Sequence, residues 1–134
     1  MMKKTKKTSS INKKVRNATK VTVDGINFKS KLEVYTYKKL QENEIYAKYE
    51  DRKFTLLEAF IYDDKKIRPM TYTPDFVGEW FVIECKGRAN DSFPLRWKLF
   101  KYYLTTNDIQ YKLFLPRNQK QVDEVIKEIL LRDE

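Results

Sequence analysis

The sequence MTYTPDFVGEWFVIECK spans residues 70–86 and contains the two runs that decide the fold. β-branched and aromatic residues are frequent over 70–77 and again over 80–86, so each run is predicted to be a strand. Gly78 and Glu79 separate the runs, and glycine at the first central position favours a two-residue type II′ turn. The stretch therefore predicts a tight β-hairpin.

This register places charged side chains of the hairpin on one face. Side chains alternate along a strand with period two, so Val82, Glu84 and Lys86 point the same way. Asp75 faces Val82 and is therefore diagonal to Glu84, at about 7–8 Å between backbone positions. Two carboxylates at this separation can bind one divalent cation, with the lysine ammonium beside an attacking water. Pro74 cannot donate to a ladder, which indicates an edge or a bulge next to Asp75.

The same charged residues also fit a solvated sheet face or a surface ion pair. Glu84 lies between Ile83 and Cys85 in an apolar strand, where an isolated carboxylate is costly. Asp75 follows a proline and precedes Phe76, so it too is expected to lie away from an open surface. Both observations favour a site that holds a metal next to a phosphodiester.

Composition narrows the chemistry that such a site can perform. The 134 residues suffice for one domain with a core. The chain has no histidine and one cysteine, which excludes zinc sites built from those ligands, Ser-His-Asp and Cys-His catalysis, and an internal disulfide framework. A metal must then be held by oxygen atoms, which favours Mg²⁺, with Mn²⁺ as a substitute.

The expected location is the cytoplasm, without membrane contact. No apolar run approaches the ~18 residues of a membrane span. The basic start is not followed by an apolar segment, which argues against a signal peptide. The single thiol, Cys85, is consistent with a reducing compartment.

The net charge of +9 is concentrated at the start of the chain. Residues 1–20 contain eight basic residues and no acidic one, whereas the remainder contains 20 basic and 19 acidic residues. The first 20 residues are therefore predicted to be a disordered basic arm, and residues 21–134 a single domain. Such an arm attracts nucleic acid by counter-ion release, although a solubility tail has the same composition. The predicted DNA-binding residues of the arm are Lys3, Lys4, Lys6, Lys7, Lys13, Lys14 and Arg16.

Outside the central hairpin, hydrophobic periodicity predicts further helices and strands. A capping box at Ser30 and Glu33 begins a helix that ends near Asn43. The remaining predicted elements are a hairpin at 21–28, strands at 45–49, 53–62 and 110–115, a turn at 63–66, and helices at 95–105 and 119–132. The order α-β-β-β-α-β-α does not fit a doubly wound parallel sheet. It indicates a mixed β-sheet flanked by helices, an α/β fold of the α+β type.

Three segments resemble the phage endonuclease I family of Holliday junction resolvases, which lies within the PD-(D/E)xK nuclease superfamily. They are FKSKLE at 28–33, YTPDF at 72–76 and FVIECKG at 81–87, in matching order and spacing. The resemblance covers roughly residues 24–115. It implies a restriction-endonuclease-like fold. It also implies a metal-dependent, structure-selective endonuclease that hydrolyses phosphodiester bonds in branched DNA, in a bacterial host cell if a phage encodes it.

The resemblance also assigns roles to individual residues. The implied catalytic residues are Glu33, Asp75, Glu84 and Lys86. Asp75 and Glu84 would bind the metal directly, with the Cys85 carbonyl, and in addition Glu33, as further ligands. Lys86 would contact the attacking water or the scissile phosphate.

The resemblance leaves the residue at one acidic position undecided. It also implies that the protein forms a dimer. The family has a further acidic residue soon after its first helix, where this chain offers either Lys48 or Glu50. A four-way junction requires two cuts, so the resemblance implies a homodimer. In the resembled family the two subunits exchange elements, which would combine residues of two chains in one site.

Basic residues after the hairpin are candidates for contact with the DNA backbone, although a solvated helix face has the same pattern. They are Arg88, Arg96, Lys98 and Lys101.

Two other functions fit the sequence. One is a nicking, restriction-type or transposon-end nuclease on the same fold. The other is a non-catalytic basic module that binds nucleic acid, although such a module has no reason to bury acids near phosphate.

Overall fold

The computed structural model describes residues 20–86 and 92–133. This part of the chain has a mixed α+β arrangement of three helices and ten short strands. The strands are β1 Val21–Val23, β2 Ile26–Phe28, β3 Ala47–Tyr49, β4 Phe54–Leu57, β5 Phe60–Tyr62, β6 Lys65–Ile67, β7 Met70–Tyr72, β8 Phe76–Gly78, β9 Phe81–Ile83 and β10 Lys112–Phe114. The helices are α1 Lys31–Glu42, α2 Phe93–Thr106 and α3 Gln119–Arg132.

A four-stranded mixed sheet with the order β10-β9-β8-β3 forms the centre of the fold. β9 pairs with β10 in parallel and with β8 in antiparallel orientation, and β8 pairs with β3 in antiparallel orientation. On one face, Phe76, Phe81 and Ile83 pack with residues of α1 and α3. On the other face, Val82 packs with Phe100 of α2 and with residues of β4 and β7. The sheet is therefore covered on both faces.

The other strands form three two-stranded ribbons, β1–β2, β4–β7 and β5–β6. The predicted hairpin at 21–28 is confirmed, with the positive φ angles of Asp24 (53°) and Gly25 (79°) in its turn. When the ribbons are set aside, the helices and central strands follow one another as α1, β3, β8, β9, α2, β10 and α3.

The central hairpin is offset by two residues from the predicted register. Val77 pairs with Val82 rather than with Trp80. Gly78 consequently belongs to β8, and the predicted turn position was wrong. The ring of Phe81 occupies the space into which a side chain at position 78 would project. The glycine is thus required by this close approach, not by the conformation of a turn.

An offset of two residues leaves every side chain on its predicted face, because strand side chains alternate with period two. The last observed pair of the hairpin is Phe76 with Ile83. The next residues in this register are Asp75 and Glu84, which therefore lie directly opposite each other instead of diagonally. The two carboxylates are therefore closer neighbours than the sequence predicted.

Two long predicted strands are each broken in two. Residues 53–62 form β4 and β5, with a register irregularity between Thr55 and Leu57. Residues 70–77 form β7 and β8, interrupted at 73–75, where Pro74 cannot donate to a ladder. The turn at Asp63 and Asp64 leads into β6, which the sequence did not predict.

The helices agree closely with the prediction. α3 coincides with the predicted 119–132. α1 begins after Ser30, whose hydroxyl accepts a hydrogen bond from the backbone N–H of Glu33. α2 begins at Phe93, two residues before the predicted start, with Pro94 in its first turn. In the described part of the chain, none of the helices combines the length and apolarity that a membrane crossing needs.

Candidate active site

Asp75, which is buried, and Glu84, which is half-buried, lie side by side where the central hairpin leaves its ladder. The Asp75 residue is 1% exposed. Its backbone N–H donates to Glu84 Oε1 (3.2 Å), and the Cys85 N–H donates to Asp75 Oδ2 (2.8 Å). The Tyr72 hydroxyl also donates to Glu84 Oε1 (2.7 Å). Both carboxylates are therefore fixed by neighbouring residues, and the alternative of a solvated sheet face is wrong.

Glu33 lies in the same cluster and does more than cap its helix. It is 5% exposed, and its Oε1 accepts from the Tyr49 hydroxyl (2.6 Å) and from the backbone N–H of Lys29 (2.9 Å). A reciprocal capping box would instead direct this carboxylate to the N–H of Ser30. Only the Ser30 half of the predicted box is present, and the Glu33 carboxylate lies near enough to Asp75 to raise the pKa of that acid.

Lys29 is the cation of this acidic cluster. Its ammonium lies 2.7 Å from Glu50 Oε2 and 3.8 Å from Asp75 Oδ1. It also interacts electrostatically with Glu33. One ammonium therefore serves several carboxylates, which leaves the cluster with excess negative charge whenever all of them are ionised.

Of the two candidates for the further acidic position, Glu50 is the one that contacts the acidic cluster. The Tyr49–Phe76 pair ends the β3–β8 ladder, and the Glu50 N–H donates to the Asp75 carbonyl (2.8 Å). Glu50 adopts a positive φ of 47°, which turns the chain at the end of β3. Lys48 is exposed on the edge strand β3. Within the described part of the chain it forms no salt bridge with the acids of the cluster.

The buried acids hold protons more tightly than exposed ones. Burial, followed by the charges of Glu84 and Glu33, raises the pKa of Asp75 to about 8. Burial also raises the pKa of Glu84, against the opposing hydrogen bond from Tyr72. Burial lowers the pKa of Lys29, but Glu50, Asp75 and Glu33 outweigh it, so the pKa is raised overall. The cluster is therefore arranged to take up positive charge.

A basic cleft of about 380 Å³ opens beside the acids. Its walls include the cations Lys29, Lys86 and Arg96, together with Glu84. The Lys86 ammonium lies 4.5 Å from the ring centroid of Phe93, and the Arg96 guanidinium donates to the Thr71 carbonyl (2.7 Å). Hydroxyl groups complete the lining, from Thr71, Tyr72, Thr73 and Ser92. A cleft with this charge and these donors suits a phosphodiester.

The carboxylates of the site are oxygen donors of the kind that bind a divalent metal. Carboxylate oxygens are the ligands that Mg²⁺ prefers, and Asp75 and Glu84 offer them from opposed positions. Within residues 20–86 and 92–133, however, no group of three His, Cys, Asp or Glu side chains is gathered closely enough to hold an ion. The carboxylate oxygens of Asp75 and Glu84 fit a hard cation, and these two residues are the ones that would hold it.

Cys85 contributes no reactive thiol. Its Sγ lies 3.2 Å from the Thr36 hydroxyl, and burial raises its pKa. The Cys85 carbonyl as a metal ligand stays a prediction.

The predicted DNA-binding residues fall into three groups. Arg96 lines the basic cleft, and Lys98 and Lys101 line an adjoining groove on α2. Arg88 and the basic residues of the arm lie outside the described residues. Their contact with DNA stays a prediction.

Several residues of the site were not predicted from the sequence. Lys29 and the hydroxyl groups of Tyr49 and Tyr72 carry no motif of their own. The signal available for them was position, since each lies within four residues of a predicted acid or belongs to the quoted segments.

Comparison with known proteins gives a family without an activity. A family model described as "Protein of unknown function (DUF1064)" matches residues 13–120. The match spans more than half of the chain, so the chain belongs to this family. No curated protein and no solved structure matches the chain.

Proposed function

We propose that this member of the DUF1064 family is a divalent-metal-dependent endonuclease that hydrolyses phosphodiester bonds in branched DNA. One observation carries the proposal. A buried and a half-buried carboxylate, both with raised pKa values, adjoin a cleft whose other charged groups are cations. Structural proteins avoid this arrangement because burying neighbouring acids is costly.

In the proposed enzyme, the carboxylates are metal ligands. Asp75 and Glu84 would hold Mg²⁺ or Mn²⁺, with Glu33 and Glu50 close enough to adjust the charge around it. When bound, the metal lowers the pKa of a coordinated water and neutralises charge on the phosphoryl oxygens. Asp75 and Glu84 would have to be ionised to hold the metal, so the pair would release its proton on binding.

In the proposed enzyme, the basic side chains of the cleft stabilise the negative charge of the phosphodiester. Lys86 lies on the cleft wall beside Glu84, where its ammonium stabilises negative charge that develops during attack. Arg96 and Lys29 supply further positive charge to the same cleft. Tyr72 orients Glu84 by its hydrogen bond and so fixes one wall of the cleft.

The succession of helices and central strands supports assignment to the PD-(D/E)xK superfamily. Glu33 lies in α1, Asp75 directly precedes β8 and Glu84 directly follows β9. Then come α2 and β10. Selectivity for four-way junctions, and a homodimer that makes two cuts, rest on the resemblance to the phage endonuclease I family and are part of the proposal.

A panel of DNA substrates tests the proposed function. The protein is incubated with a synthetic four-way junction, a linear duplex and a supercoiled plasmid, each with Mg²⁺ or with EDTA. We expect junction cleavage that depends on Mg²⁺ and exceeds duplex cleavage. Preferential cutting or nicking of the duplex and plasmid would indicate a restriction-type, nicking or transposon-end nuclease. Binding of all three substrates without any cleavage would indicate a non-catalytic module and contradict the proposal.

A further inference from the structure

A second concave surface lies beside the basic cleft. This groove, with a volume of about 450 Å³, runs between α2 and the segment that follows β10. Its apolar floor consists of Phe93, Pro94, Trp97 and Leu115. Lys98, Lys101 and Arg117 contribute the charged part of its lining, and none of the described residues that line it is acidic.

The aromatic rings of the groove are held in place. Phe93 and Trp97 are stacked, with centroids 5.4 Å apart and an interplanar angle of 28°. Trp97 also meets the edge of Tyr72 at 6.2 Å and lies 6.1 Å from Phe100. Both Phe93 and Trp97 remain half-buried, so part of their surface is accessible. Rings fixed in this way lose little conformational entropy when a planar ligand packs against them.

Phe93 connects the groove to the proposed catalytic cleft. It lines both cavities, and the Lys86 ammonium lies 4.5 Å from its ring centroid. On the other side, the Lys101 ammonium lies 5.9 Å from the Trp97 centroid. A strand with a phosphate in the cleft therefore has an apolar, aromatic surface available to the next base, bordered by cations for the next phosphates.

We propose that this groove binds an unpaired nucleobase of a single DNA strand next to the phosphate in the cleft. Base–aromatic stacking combined with a basic border is the chemistry by which proteins bind single strands. This inference rests on the proposed function and extends it: among branched substrates, those with an unpaired nucleotide beside the cut, such as a flap, should bind more tightly than fully paired ones. A fully stacked duplex cannot offer a base to the groove.

The two tryptophans of the chain allow a direct measurement. Replacing Trp80, which lies on the opposite face of the sheet, with phenylalanine leaves Trp97 as the single fluorescent indole. The Trp80→Phe protein is titrated, in EDTA, with a short oligothymidine and with an oligomer of the same length made of abasic residues. Both oligomers carry the same phosphate charge. We expect saturable quenching of Trp97 by oligothymidine, and binding about tenfold weaker for the abasic oligomer.

Protein variants provide the matched comparison. Lys98→Glu with Lys101→Glu reverses two exposed charges of the groove, whereas Lys38→Glu with Lys31→Glu reverses two exposed charges of α1. We expect the first pair to lose most of the binding of oligothymidine and the second to lose much less. Trp97→Leu, assayed with a labelled oligomer in the parent chain, should abolish the preference for bases over abasic residues.

Two results would overturn the groove assignment. One is equal affinity for the base-bearing and abasic oligomers, which indicates attraction by charge alone. The other is an unquenched Trp97 at saturation. These measurements need neither metal nor cleavage, so they separate the two proposals. Stacking without any nuclease activity would remove only the proposed function, and junction cleavage without stacking would remove only the groove.

Discussion

At the scale of single residues, the candidate site brings several carboxylates close together with one lysine ammonium beside them. Lys29 pairs with Glu50 and approaches Asp75, while Glu33 and Glu84 lie nearby. Burial and mutual repulsion raise the pKa of Asp75 and Glu84, so the metal-free protein retains a proton that an exposed acid would lose. The cluster is consequently most stable when a proton or a cation reduces its charge.

The raised pKa of Asp75 predicts how the stability of the metal-free protein depends on pH. The folded protein binds this proton more tightly than the unfolded chain, in which the pKa is near 3.8. The stabilisation is therefore complete below about pH 4 and is lost as the pH rises through about 8. We expect the free energy of unfolding in EDTA to fall from pH 5 to pH 8 more steeply in the parent than in Asp75→Asn. Urea titrations at each pH measure this, and parallel pH profiles would contradict it.

Glu33 can be tested for catalysis separately from its structural role. In Glu33→Gln, the amide oxygen can still accept from Tyr49 and from the Lys29 N–H, so both contacts survive while the charge is lost. We expect a melting temperature equal to or above that of the parent, because one charge that repels Asp75 has gone. Cleavage should fall by about 10²-fold or more. Full activity of a folded Glu33→Gln protein would leave this residue with a structural role alone.

At the scale of secondary-structure elements, the sequence was informative where periodicity extends over many residues. α3 was predicted to the residue because its apolar positions recur at helical spacing from Val122 to Leu130. Three-residue strands offer no such repetition, so the broken strands at 53–62 and 70–77 were predicted as continuous. The hairpin register was wrong by two residues because Gly78 was interpreted as a turn residue. Nothing local in the sequence indicates that the Phe81 ring covers it.

The register makes Gly78 a sensitive position. In Gly78→Ala, the added methyl group would collide with the Phe81 ring, which the core holds in place. We expect destabilisation of about 1–3 kcal/mol, the usual cost of overpacking a core. Phe81→Leu removes the colliding ring, so the alanine should cost less in that background. A double-mutant cycle from urea unfolding measures the difference, and equal costs in both backgrounds would refute the close approach as the cause.

At the scale of the whole molecule, a single chain brings all the acids of the site together. Glu33 comes from α1, Glu50 follows β3, and Asp75 and Glu84 come from the central hairpin. The site was predictable from sequence as a set of types and spacings. The part of Lys29 was not predicted, and the choice between Lys48 and Glu50 stayed open, because both depend on how α1 and β3 pack beside the hairpin.

A mixed dimer tests whether two chains exchange elements, as the resemblance implies. A Glu33→Gln chain is paired with an Asp75→Asn chain, and the purified heterodimer is given a junction. An exchange would leave one site without a lesion, so one strand would be nicked. Because one chain already contains both residues in one cluster, we expect no nicking. One-strand nicking by the heterodimer, with both homodimers inactive, would establish the exchange and contradict self-contained sites.

The most direct test of the proposed nuclease compares cleavage and binding in the same variants. Asp75→Asn and Lys86→Met each remove one group of the site, while Arg96 and the basic groove remain to hold DNA. Single-turnover cleavage of a four-way junction in Mg²⁺ is measured beside junction affinity in EDTA. We predict that cleavage falls on the order of 10²–10⁴-fold while affinity stays within a few-fold of the parent. Cleavage within a few-fold of the parent in either variant would contradict the account.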